Sequence, residues 1–323
     1  FILVIIFSTP AAIIAEYFNI PLAWFLGPMI ATSLLSLFGL KLVMPRLVLS
    51  IILVLLGLYI GNYIDKNLFS QMHQWIWTSL IMLGYIILGY EKKTSIFSAA
   101  PGALGPLLIL AEDEKSDLSQ VATSHLIRLI IIITVFPFIV DSFYDQNKIE
   151  NIDFIIEQNI YDLLILISSS LLIIFIFDKI KIPAALLAGT LVASGILQIT
   201  EVASYKLSPG IIDFCLLILG SSVGCRFANK TFSEIGKNAL HSFVATFFLV
   251  VLGVLAAYIA SLVIDKNFFT LLLSYCPGGI YEVAVIAIFF DLDPEFVSFH
   301  HIIRLLMILF IVPVILRLMQ KKT

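Results

Sequence analysis

Apolar stretches about as long as a lipid bilayer is thick follow one another along almost the whole chain, and nothing else in the sequence restricts the fold as much. They fall at 1–17, 21–39, 48–64, 75–91, 95–112, 120–143, 162–178, 183–200, 208–227, 239–264, 268–290 and 297–320. A helix needs about 20 apolar residues to cross the hydrocarbon. In lipid each backbone amide must find its partner inside its own segment or barrel, so helices are predicted and open strands are not. The composition agrees: 60% of the 323 residues are hydrophobic and 13% are charged, whereas a soluble domain is about half apolar and a quarter charged. The expectation is an all-α polytopic membrane protein, with the first stretch read as a span rather than a cleavable signal and an N-terminal piece read as missing before Phe1.

Several function classes drop out at this point. A net charge of -3 leaves no basic surface for nucleic acid. Cys215, Cys225 and Cys276 lie in or near apolar segments and form no CxxC pair or disulfide framework. The sequence contains no HExxH, P-loop, GxSxG or metal-spaced His/Cys cluster. No metal, no cofactor and no enzymatic activity are therefore expected. The acidic run "AEDEKSD" at 111–117 reads as a solvated loop, with a weak cation site as the alternative.

The chain repeats itself. "NIPLAWFLGPMIATSLLSLFG" at 19–39 matches "KIPAALLAGTLVASGILQIT" at 181–200, and "LGLYIG" (56–61) matches "LGSSVG" (219–224). "APGALG" (100–105) then matches "CPGGIY" (276–281), and "SHLIRLIIIITVFPFI" (124–139) matches "FHHIIRLLMILFIVPVI" (299–315). Four matches in one order indicate a tandem duplication: repeat 1 at 1–145, a polar linker at 146–161 and repeat 2 at 162–323, in about 10–12 transmembrane segments with one broken helix per repeat. Loop charge bears on orientation. In the first half Lys41, Arg46, Lys92 and Lys93 lie on one side and Lys66 and Lys115 on the other. In the second half the equivalent loops reverse that bias, with Lys206 and Lys266 against Lys179, Lys181, Arg226, Lys230 and Lys237. Such a reversal favours inverted repeats over parallel ones.

The interruptions carry the functional signal. Pro277, Gly278 and Gly279 break an apolar segment, and Pro101, Gly102 and Gly105 break its counterpart. Backbone groups freed at membrane depth persist only when buried in protein or lining a wet cavity. There a half-helix N-terminus suits an anion and a half-helix C-terminus suits a cation, so paired interruptions in two repeats point to a transport site. Glu282, beside the second break, would exchange a proton or serve as a structural hydrogen-bond donor, and Tyr281 could donate to a substrate. His125/Arg128 and His301/Arg304 each share a helix face at i, i+3. Snorkelling to the headgroups competes there with a role in charge relay or gating. Ser221 and Ser222 would offer hydroxyls to the cavity or permit close helix packing.

"IPLAWFLGPMI", "CPGGIYEVAVIA" and "HHIIRLLMILFIVP", each with a duplicated counterpart, resemble the AbrB family of bacterial inner-membrane proteins. The name is shared with a soluble DNA-binding regulator that this sequence does not resemble. Members are labelled as regulators of gene expression or as ammonia monooxygenases, and no metal-ligand cluster here suits the second label. More distantly, the broken segment is similar to the cation/proton antiporter and bile-acid symporter superfamily, whose inverted repeats cross two broken helices at the binding site. Repeat 1 departs from that pattern: Ala103 replaces the second glycine and Pro106 stands at the position of Glu282. The expected function is secondary transport or export of a small solute or ion, with proton coupling through Glu282 as an option. The alternative is a membrane-embedded regulator or sensor acting indirectly on gene expression. Expected partners are the bilayer and the solute, with a homo-oligomer left open.

Overall fold

The computed structural model describes residues 1–64, 74–82, 118–144, 160–203, 209–228 and 230–320. Its regular elements among these residues are all helices. In chain order they are α1 (Ile2–Tyr17), α2 (Ala23–Leu37), α3 (Arg46–Gly61), a stretch at 74–82 (α4), α5 (Leu118–Phe143) and α6 (Ile160–Lys179). There follow α7 (Ala185–Thr200), α8 (Pro209–Cys225), α9 (Phe232–Ser261), α10 (Phe268–Tyr275), α11 (Ile280–Phe289) and α12 (Pro294–Gln320). The chain forms two compact units, and each draws on both sequence halves. One holds 1–70, 137–231 and 288–290; the other holds 71–136, 232–287 and 291–323.

The first unit is organised by glycines. Gly220 of α8 lies so close to α2 that a Cβ there would collide with the Phe25 carbonyl, and one on Gly224 would strike Thr32 and the Met29 carbonyl. On the other helix pair, a Cβ on Gly57 of α3 would strike Thr190 and the Leu187 carbonyl of α7, and one on Gly61 would strike Ser194 and the Leu191 carbonyl. Because contact positions rise together along both chains, α2 runs in the same sense as α8, and α3 in the same sense as α7. Hydroxyls hold these crossings: Ser194 Oγ donates to Leu58 O at 3.0 Å, and Ser8 and Ser221 Oγ meet at 2.6 Å. Small residues that let backbones touch, with hydroxyl bonds across them, are how apolar helices associate without water to drive them.

The turns into α2 and α7 are built alike. Asn19 and Lys181 both lie at positive φ (52° and 58°), as do Leu22 and Ala184 (54° and 57°). Ile20 N–H donates to Ala15 O at 3.0 Å and Ile182 N–H to Phe177 O at 2.9 Å. Four residues with side chains accept a left-handed conformation that ordinarily favours glycine. The Ile-Pro pair that follows Asn19 and Lys181 ends the preceding helix, because the residue before a proline is pushed out of the helical region.

Among the described residues, three helices are by themselves long and apolar enough to cross a membrane: Val121–Phe143, Tyr161–Lys179 and Ala239–Ser261. The shorter apolar helices have 10–17 residues, and a 16-residue helix rises only about 24 Å against a hydrocarbon core of about 30 Å. The tight turns at 18–22 and 180–184 lie where the apolar stretches break, and α2 and α7 begin two residues inside the stretches 21–39 and 183–200. Outward faces are nonetheless apolar, as at Leu171, Leu172 and Phe175 on α6 and Phe247 and Phe248 on α9. Such faces are compatible with lipid contact.

Candidate functional site

In the second unit the stretch "SYCPGGIYE" becomes two short helices with a gap between them. Asn267 starts α10 by accepting the Phe269 N–H on its side chain at 2.8 Å, a standard N-cap bond. The helix stops at Cys276, whose backbone turns extended (φ -56°, ψ 132°) where Pro277 removes a donor. Gly279 precedes α11 and its carbonyl accepts the Val283 N–H at 3.1 Å, restarting the helical ladder. Gly278 is required sterically: a Cβ there would run into Val283 and lie 3.4 Å from Ile132 of α5. The gap is closed in protein, with Cys276 and Gly278 buried.

Arg304 of α12 holds the gap. Its side chain is fully buried, at 0% exposure. Nη1 donates to Cys276 O at 2.5 Å, and Nη2 donates to Gly278 O at 2.7 Å and lies 3.1 Å from His301 Nδ1. His301 Nε2 is 3.0 Å from Leu273 O. A carbonyl can only accept, so Nε2 carries the ring proton and Nδ1 accepts from Arg304. The two residues reach the break from one face of α12, one turn apart. Snorkelling does not describe Arg304. The carbonyl end that the sequence offered to an external cation is capped by the protein's own guanidinium.

Glu282 lies in the first turn of α11, at 2% exposure. Its carboxylate folds back over Gly279 so closely that a Cβ there would collide with it. A carboxylate in the first turn of a helix opposes the positive end of its dipole, here that of α11. Tyr281 beside it is half-buried. On α5, Arg128 is buried at 3% exposure and is close enough to act electrostatically on Cys276; His125 Nδ1–H donates to Val121 O at 3.1 Å. Pro101, Gly102, Gly105 and the run at 111–117 lie outside the described residues. Ser221 and Ser222 are buried in the first unit, where Ser221 donates to Leu217 O or bonds Ser8, the helix-packing role.

A second polar cluster escaped the sequence reading. His300, fully buried, places Nδ1 2.9 Å from Phe296 O and Nε2 2.7 Å from Thr78 Oγ1. The rings of Trp75, Phe296 and Phe299 surround it. Tyr275, the last residue of α10, donates its hydroxyl to Thr78 O at 2.7 Å. Together these bonds fix the end of the half-helix to α4. The double histidine "HH" at 300–301 was the available signal. Replacing Tyr275 by Phe should remove one buried bond and lower stability by about 1–2 kcal/mol, measured as a drop in melting temperature.

A helical protein of membrane-like composition, with a buried helix break capped by arginine and glutamate, is the class these features define. The chain matches the family model described as "Transition state regulatory protein AbrB" over residues 1–89 and 24–320, and it belongs to the AbrB family. It is 21% identical over 319 residues to the protein named "Putative regulator AbrB" of Escherichia coli (strain K12), covering 93% of this chain and 90% of that one. It is also 21% identical over 296 residues to "Uncharacterized protein YhjN" of Bacillus subtilis (strain 168), covering 82% and 77% respectively. No solved structure matches.

Proposed function

We propose that the chain is a secondary carrier of a small solute or ion in a bacterial inner membrane, with the α10–α11 break as part of its binding site. The observation that carries this reading is a helix gap kept open in a buried, apolar setting by residues of another helix. Closing the segment into one continuous helix would satisfy its backbone without a buried arginine. Keeping it interrupted brings two oriented helix ends and the charges that occupy them, Arg304 and Glu282, to one point, where a charged or polar solute would bind by displacing one of the two. Glu282 is the coupling group: as an anion it caps α11, and on taking a proton it gives up the charge that opposes the helix end.

Two inverted repeats accompany this reading. It is supported by the exchanged crossings of the first unit, α2 with α8 and α3 with α7, each pair running in one sense. The connection from α7 to α8 is only residues 201–208, short enough to favour a reversal. Helix α2 and its sequence counterpart α7 would then run in opposite directions, in keeping with the loop charges.

Reconstitution into liposomes tests the carrier. A pH gradient should drive uptake of a substrate found by screening small organic acids, amines and inorganic ions. Glu282→Gln should retain binding and lose the dependence of flux on the gradient, and unchanged coupling would remove Glu282 from the mechanism. A second reading, a membrane regulator acting through a partner, is favoured by the name of the Escherichia coli relative, "Putative regulator AbrB". Crosslinking that recovers a stoichiometric protein partner, with no flux of any solute, would select it.

A further inference from the structure

The connection between α11 and α12, "DLDPE" at 291–295, carries charge that the break does not use. Asp293, at φ 41°, binds Lys266 Nζ at 3.0 Å through Oδ1 and accepts from Thr270 Oγ1 at 3.3 Å through Oδ2. Lys266 also lies 5.6 Å from the centre of the Phe296 ring. These contacts tie the start of α10 to the start of α12, and further along α12 Arg304 holds the other end of α10. Glu295 sits in the first turn of α12 at 8% exposure, and its Oε2 has no hydrogen-bond partner among the described residues.

We propose that Glu295 is a proton-binding site outside the broken helix and works as a latch on this connection. Protonated, it stays packed at the start of α12 and the contacts between α10 and α12 remain closed. Ionised, it is drawn toward water and loosens the start of α12 from α10.

The electrostatics of the cluster agree with the geometry. Burial pushes the Glu295 carboxyl up to about 7; its own backbone N–H and Lys266 oppose the shift, and Asp293 and Asp291 add to it. Those residues and Lys266 are the charged groups that act on it among the described residues. For a carboxyl raised in the folded state, the linked stability is complete below its unfolded value and is lost as pH rises through about 7.

Trp75 is a native reporter, since its ring centre lies 5.3 Å from that of Phe296 and 4.8 Å from that of Phe299. In a background with Trp24→Phe and Trp77→Phe, detergent-purified protein should show a red shift of Trp75 emission with a midpoint near pH 7. Glu295→Gln should abolish that transition and flatten the fall of melting temperature between pH 5 and 7. Lys266→Ala should move the midpoint up and Asp293→Asn should move it down. A transition that survives Glu295→Gln, or midpoints that do not move in opposite directions, would overturn the latch. None of these readouts depends on transport.

Discussion

Replacing Arg304 by alanine is expected to lower stability by about 3–5 kcal/mol, because buried acceptors left unpaired cost about 1–3 kcal/mol each. The guanidinium serves Cys276 O, Gly278 O and His301 Nδ1. Cys276 O would keep only the Gly278 N–H, at 2.8 Å. Gly278 O and His301 Nδ1 would each lose their Arg304 donor, and a hole the size of the side chain would open between α12 and the break. Arg304→Lys should recover only part of the loss, since an ammonium is a point charge and cannot span two carbonyls as a planar fork does. Thermal denaturation of purified protein is the measurement. Wild-type stability in the alanine variant would mean that the break is held by other groups.

Gly220→Ala and Gly57→Ala are expected to be the next most damaging, at about 1–3 kcal/mol each from overpacking. Alanine is intrinsically the better helix former by about 1 kcal/mol, so the expected loss runs against propensity. The cause is the obstacle: each new Cβ meets a backbone carbonyl, Phe25 O or Leu187 O, and a backbone cannot rotate away as a side-chain tip can. Gly236→Ala on α9 supplies the opposite sign, because nothing lies within 4 Å of a Cβ there. It should raise the melting temperature slightly. If all three variants move together, helix propensity rather than crossing distance governs these positions.

Much of the architecture was legible because it follows from composition and local chemistry. Long apolar runs have to become helices in lipid, and a Pro-Gly-Gly run has to interrupt one. The i, i+3 spacing placed His301 and Arg304 on a common face, as their 3.1 Å contact bears out. The turns at 19–22 and 181–184 were legible in their place, between apolar stretches and at Ile-Pro pairs, but not in their conformation: they rest on left-handed residues other than glycine, for which the sequence has no marker. The same limit hid Thr78, Tyr275 and His300. Their bonds join α4 to α10 and α12 across more than 190 residues, a separation no periodicity can reveal.

By itself the sequence determined the helical class, the place of the break and the identity of the charges around it. These depend on what each residue can do within one turn of its own chain. Only the tertiary structure decided what those charges meet. Arg304 could have reached the headgroups, a solute or a carboxylate, and it instead occupies the carbonyl end of α10. Glu282 lies back on its own helix start. The reason is desolvation: once the break is buried, its unpaired carbonyls and helix ends are the strongest electrostatic partners within reach, and the choice among partners belongs to packing.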